Sequence, residues 1–180
     1  MDILCKISIT NINFIEDILY KILEKLNSNR NVLASKGLNI LTKICSIIPV
    51  TKVYLKIADV LLKFDDIYFI SSMIKILDIF LLTYKETEEL RKLLKNLKWR
   101  NNRNSNLINN NNKDSNNFIY REKEHYFFLK LYSTWCFNPV SLLILCMISE
   151  QFELSYNLIL KLYGLIIFFF IFIIIFIVNI

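Results

Sequence analysis

The sequence is poor in three residue types: two glycines, two prolines and one histidine stand among 180 residues. Gly and Pro punctuate sheet-rich folds, so their scarcity predicts long uninterrupted elements. With only Gly37 and Gly164, there is no glycine loop to cradle a phosphate. The four cysteines, Cys5, Cys45, Cys136 and Cys146, have no metal-ligand spacing, and no metal or other cofactor is expected. They lie in apolar helical patterns, where free thiols behave as small buried hydrophobes in a reducing, cytosolic compartment. Nothing at the N-terminus reads as a signal peptide, because Asp2 precedes a short apolar stretch and no cleavage site follows.

Apolar residues make up 54% of the chain and charged residues 21%, which excludes wholesale disorder and leaves material for a core. The net charge of +6, from 22 Lys plus Arg against 16 Asp plus Glu, attracts anions over long distances. Bases and acids are nevertheless interspersed, and the densest group, Arg91 to Arg103, reads as a solvated helix face running into a linker. The neighbouring Asn-rich tract has no interleaved aromatics for base stacking, so no nucleic-acid partner is expected.

Apolar residues recur at three-and-four spacing along most of the chain. A first helix is expected from Phe14 to Leu26, with Asn13 as cap and Glu16 closing a capping box. A second spans Val32 to Ile48, where Gly37 marks either a close helix approach or a bend. Pro49 opens a third, with Val50, Val53, Tyr54, Ile57, Ala58, Leu61 and Leu62 inward. Asp65 and Asp66 offer caps to a fourth, Ile67 to Tyr84, whose face is Ile70, Met73, Ile74, Leu77, Phe80 and Leu81. Thr87 caps a fifth that buries Leu90, Leu93, Leu94 and Leu97 and leaves Arg91, Lys92, Lys95 and Lys98 outside. A helix from Phe118 carries Phe127, Phe128, Leu131, Tyr132 and Trp135. Asn138 and Pro139 start the next, with Val140, Leu143, Ile144 and Met147 inward. A last helix carries Phe152, Leu154, Ser155, Leu158 and Ile159.

These segments divide the chain into helical repeats over 1–100, an Asn-rich disordered insert over 101–117, helical repeats over 118–161 and an apolar tail over 162–180. Short connections and the lack of a period-two segment predict an all-α chain of antiparallel hairpins that stack into a solenoid, with a closed bundle as the rival.

No constellation calls for catalysis. His125 stands near Glu122 and Glu124 with no nucleophile beside it, and reads as an exposed structural histidine. Glu86, Glu88 and Glu89 occupy a helix's first turn, where the dipole accounts for them. Cys136 reads as buried packing, Trp135 as a core or pocket anchor that needs an indole partner, and Asn138 with Pro139 as helix initiation.

Residues 131–161, LYSTWCFNPVSLLILCMISEQFELSYNLILK, resemble the scaffold subunit of the phosphatidylinositol-3-phosphate 5-kinase complex, a family named for its effect on vacuole morphology. Trp135, Cys136, Asn138, Pro139 and Val140 match that family's Trp-Cys-His-Asn-Pro-Val motif, and Leu145, Cys146 and the pattern from Phe152 to Leu158 follow it. Upstream, VYLKIADVL, MIKILDIFLLT and ELRKLLKNL within 53–97, and GLNILTKICSIIP from Gly37 to Pro49, keep its order. The resemblance covers about 37–161. It implies a HEAT-like α-solenoid with no enzymatic activity, acting as a scaffold at the cytosolic face of endosomal or vacuolar membranes. The implied partners are a phosphatidylinositol-3-phosphate 5-kinase, an opposing Sac-domain phosphoinositide phosphatase, a second copy of the chain and the membrane surface. Trp135, Cys136, Asn138, Pro139, Val140 and Cys146 are the motif residues it singles out, as structural or interacting groups. The chain departs from the pattern at Phe137, where the family has histidine, in the Asn-rich tract, in lacking most N-terminal repeats, and beyond Lys161.

From Leu162 to Val178 run 17 residues without charge, twelve of them Ile or Phe. Leu162, Ile166, Phe170, Ile174 and Val178 sample this run at helical spacing. Its length is at the lower limit for a bilayer span, and Lys161 before it favours a cytosolic body. A tail anchor, which makes the chain a membrane adaptor with an unrelated partner, a truncated end and a helix buried at the stack's end are the three readings.

Overall fold

The computed structural model describes the backbone of residues 12–96 and 114–178, and the side chains of residues 15–96, 125–165 and Ile167. Every element among the described residues is helical. In order they are α1 (Ile12–Ser28), α2 (Arg30–Cys45), α3 (Val50–Leu61), α4 (Ile67–Thr83), a 3-10 turn (Lys85–Thr87), α5 (Glu88–Lys95), α6 (Asp114–Trp135), α7 (Pro139–Ile148) and α8 (Phe152–Val178).

The packing is that of a two-layer solenoid. Helices α1, α3 and α6 touch in sequence to form one layer, and α2, α4 and α7 touch to form the other. Each layer is thus a row of side-by-side helices, while the pairs α1 with α2, α2 with α3 and α6 with α7 hold the layers together. The short α5 fills the angle between α4, α6 and α7, and α8 lies on α7. The chain is all-α and HEAT-like, and this open arrangement replaces the closed bundle.

Local chemistry explains most boundaries. Asn29 caps α2 by accepting from the Val32 amide at 3.3 Å. Asp66 caps α4 by accepting from the Phe69 amide at 3.0 Å, and its carboxylate also pairs with Arg30. Asn138 caps α7 by accepting from the Ser141 amide at 3.1 Å, with Pro139 at the first helical position. At Gly37 an added Cβ would stand 3.0 Å from Ile76 Cδ1 of α4, so this glycine marks a close helix approach and not a bend.

Several local expectations are corrected. Helix α1 begins at Ile12, so Asn13 is inside it, and Glu16 reaches Lys56 of α3 and Lys63 just past it instead of closing a capping box. Pro49 takes the N-cap position, and Leu62, just past α3, is exposed. Thr87 caps no amide; its hydroxyl turns back to the carbonyls of Phe80, Leu81 and Tyr84 at 3.3, 2.9 and 2.7 Å. Arg91 is not merely a surface base: its Nη1 donates to the same end of α4, at Leu81 and Tyr84, and to the Thr87 hydroxyl. Helix α6 starts at Asp114, so residues 114–117 of the expected insert are helical. His125 is half-buried. Cys5, Leu97, Lys98, Arg103 and the tract over 101–113 lie outside the described residues.

The largest correction concerns α7. The stripe Val140, Leu143, Ile144 and Met147 faces outward: Val140 is 67% and Met147 51% exposed, and the two between them are half-buried. Ser141, Leu142, Leu145 and Cys146 face the core instead. In a helix apolar nearly all round, periodicity does not choose a face. In α8, Phe152 and Ile159 are likewise exposed, while Ser155 is buried and Leu154 and Leu158 are half-buried against the core.

Candidate functional site

Trp135 and Asn138 of the motif lie where α3, α4, α6 and α7 converge. Trp135 ends α6 and is fully buried. Its ring stacks on Tyr54 of α3 with centroids 6.4 Å apart and planes at 23°. Its indole Nε1 donates to Oδ1 of Asp78 on α4 at 2.7 Å. The Tyr54 hydroxyl donates to the Leu77 carbonyl at 2.8 Å, and the Thr134 hydroxyl to the Ala58 carbonyl at 3.3 Å. One turn further, Asn138 Nδ2 donates to the Ser71 hydroxyl at 3.0 Å while its Oδ1 caps α7. One tryptophan and one asparagine thus fasten the α6–α7 hairpin to both layers of the preceding one.

Asp78 is the electrostatic centre of this junction. It is 3% exposed, and its second oxygen, Oδ2, has no hydrogen-bond partner. Burial pushes its carboxyl up to about 6, against side-chain hydrogen bonds from Ser141 and Trp135 that favour the charged form. Burial likewise raises the Tyr54 phenol well above its ordinary range.

The remaining motif residues divide. Cys146 is buried, and burial raises its thiol to about 11. Cys136, expected as packing, is exposed at the α6–α7 turn. Its thiol is still raised above the ordinary value by partial burial, so it is not poised as a thiolate nucleophile. Pro139 and Val140 are exposed, as is Phe137. The site is therefore a buried fastening under an apolar outer stripe. In the tail group Leu162 is half-buried, while the side chains of Ile166, Phe170, Ile174 and Val178 lie outside the described set.

Sequence reasoning missed Asp78, Ser71 and Ser141. Asp78 carried a usable signal: a lone acid between Leu77 and Ile79 on a helix whose neighbours are apolar. Ser71 and Ser141 carried none, because short hydroxyl residues suit buried and exposed helix faces alike.

Nothing else among the described residues resembles an active centre. No group of three His, Cys, Asp or Glu side chains is placed to hold a metal. An apolar pocket of about 200 Å³ between α1 and α3 is lined by Ile15, Ile47, Ile48, Pro49, Lys52, Leu55 and Lys56, with no nucleophile or acid–base pair. Among the described residues no single helix is long and apolar enough to cross a membrane. The pair Ile67–Thr83 and Lys85–Lys95, which passes by length and composition, is bent by 88°.

The sequence is 26% identical over 148 residues to the vacuole morphology and inheritance protein 14 of Saccharomyces cerevisiae, covering 82% of this chain and 14% of that protein. The VAC14 homologue of Schizosaccharomyces pombe is 26% identical over 140 residues, 78% of this chain and 14% of the relative. That of Arabidopsis thaliana is 24% identical over 132 residues, 73% of this chain and 15% of the relative. No solved structure matches the chain. A sequence model of the family described as vacuolar protein 14 C-terminal Fig4p binding matches residues 30–169, which extends the expected range of 37–161 at both ends and reaches into the apolar run. With most of its helices and the whole Trp135 junction inside that match, this chain belongs to the Vac14 C-terminal Fig4p-binding family.

Proposed function

We propose that this chain is a non-catalytic scaffold for a complex that controls phosphatidylinositol 3,5-bisphosphate at the cytosolic face of an endosomal or vacuolar membrane. The observation that carries this reading is a rigid two-layer stack, fastened at Trp135 and Asp78, within the family named for Fig4p binding. Its partners are a Sac-domain phosphoinositide phosphatase, a phosphatidylinositol-3-phosphate 5-kinase and a second copy of the chain. The fastening makes the motif residues Trp135, Asn138 and Cys146 positioning groups. Pro139, Val140 and the exposed edge at Cys136 belong to the surface they hold.

The phosphatase docks on the outer stripe of α7. Val140 and Met147 are exposed large hydrophobes on that helix, and aliphatic groups in water gain by burial roughly in proportion to their area. A detergent-solubilised pull-down with purified phosphatase and kinase is expected to retain at least one of them. Val140→Asp with Met147→Asp is expected to lose the phosphatase while circular dichroism stays unchanged, because neither side chain supports the core. Recovery of neither enzyme by the unaltered chain overturns the proposal.

A further inference from the structure

We propose that residues 162–178 cross a lipid bilayer as the direct continuation of the last packed helix, so that the stack sits on the membrane without a flexible linker. Helix α8 is unbroken from Phe152 to Val178. Its first turns belong to the stack: Ser155 is buried, and Leu154 and Leu158 pack against the core. From Ile159 onward most of its circumference leaves the stack, with Leu162 still half-buried. Ile159, Leu160, Tyr163, Leu165 and Ile167 are all exposed, Leu165 by 67%. Successive positions on a helix turn by about 100°, so these side chains and exposed Lys161 cover about two thirds of the circumference, and half-buried Leu162 lies on the remaining side, in line with Ser155 and Leu158.

A helix whose sequence is apolar all round must be covered all round, by protein or by lipid. Its dimensions select the bilayer. The 17 uncharged residues from Leu162 to Val178 extend about 26 Å at 1.5 Å per residue, against about 27 Å for the hydrocarbon of a thin internal membrane. Lys161 stands at the boundary on the stack's side, and Tyr163, 61% exposed, follows at the depth where amphipathic rings collect. The family match ends at Phe169, so the second half of the run is outside the shared pattern.

This inference rests on the membrane placement proposed above but on neither enzyme. The full chain carrying a glycosylation acceptor after Ile180 is synthesised with microsomes. It is expected to be glycosylated, to resist alkaline carbonate extraction and to float with the vesicles in a density gradient. Phe170→Arg with Ile174→Arg, within the uncharged run, is expected to abolish glycosylation and to be released. Release of the unaltered chain by carbonate, pelleting without flotation, or flotation without glycosylation each overturns the proposal. Partner retention in detergent is read separately, so failure of the span and failure of the scaffold reading are distinguished.

Discussion

Asp78 holds its proton into mildly acidic solution because ionisation at the centre of four helices strips a charge of water. Its carboxyl lies at about 6 when folded against an ordinary 3.8, so the folded state binds the proton more tightly. The resulting stabilisation is complete below about pH 4 and is lost as pH rises through about 6, a difference of about 3 kcal/mol at neutrality. Urea unfolding is expected to show that the stability of the natural chain, measured against Asp78→Asn, declines over this window. Trp135→Phe removes the indole donor and leaves the buried carboxyl poorer in partners, at a cost of about 3 kcal/mol. It is also expected to steepen that decline with pH. Glu150 presents a different cost. It adopts φ 56° between α7 and α8, where the Gln151 amide donates to the Cys146 carbonyl at 2.9 Å and its own amide to that of Met147 at 3.1 Å. This left-handed turn favours glycine, and Glu150→Gly is expected to raise unfolding stability by about 1 kcal/mol.

At the scale of elements, a row of charges ties the first layer together. Glu16 of α1 accepts from Lys56 of α3 at 3.0 Å and from Lys63, just past its end, at 2.5 Å, and Asp59 of α3 pairs with Lys130 of α6 at 2.5 Å. Hydrogen bonds from Lys63 and Lys56 hold the Glu16 carboxyl down to about 2. That contribution is present above the ordinary glutamate range and is lost as pH falls toward 2, opposite in sign to Asp78. Because the row faces solvent on one side, Glu16→Gln is expected to cost no more than about 1 kcal/mol, and less in high salt. The second layer depends on close approach instead. Gly37→Val places branched carbon against Ile76 and is expected to destabilise by about 2 kcal/mol in thermal or urea unfolding. The face of α4 was legible because its core residues recur at regular spacing. The face of α7 was not, because apolar residues surround the helix and the bonds of Asn138 to Ser71 and of Ser141 to Asp78 fix its rotation.

In the whole molecule, contacts along each layer make neighbouring hairpins mutually dependent. Helices α3 and α4 have packed neighbours on both sides along their layers, and nearly all their inward side chains are fully buried. Native-state hydrogen exchange is therefore expected to be slowest in Val53–Leu61 and Phe69–Leu81, with α1 opening first among the helices of the stack. Equal protection across the stack would contradict this order. The chain spans 14–15% of the length of the curated relatives it matches, and in such a one-dimensional build each hairpin packs chiefly on its neighbours.

The sequence by itself determined the helices, their caps at Asn138 and Asp66, the scarcity of catalytic groups and the resemblance carried by Trp135 to Val140. These are local properties, written in spacing and in side chains that bond to backbone a few residues away. Only the tertiary structure decided what Trp135 binds, since Asp78 is 57 residues distant and its acidity is set by the burial that α6 and α7 impose. It also decided that the apolar stripe of α7 points outward and that α8 runs on from the stack without a break. Rotation about a helix axis and the direction of a helix past its last neighbour are settled by contacts between elements, which a single strand of spacing does not encode.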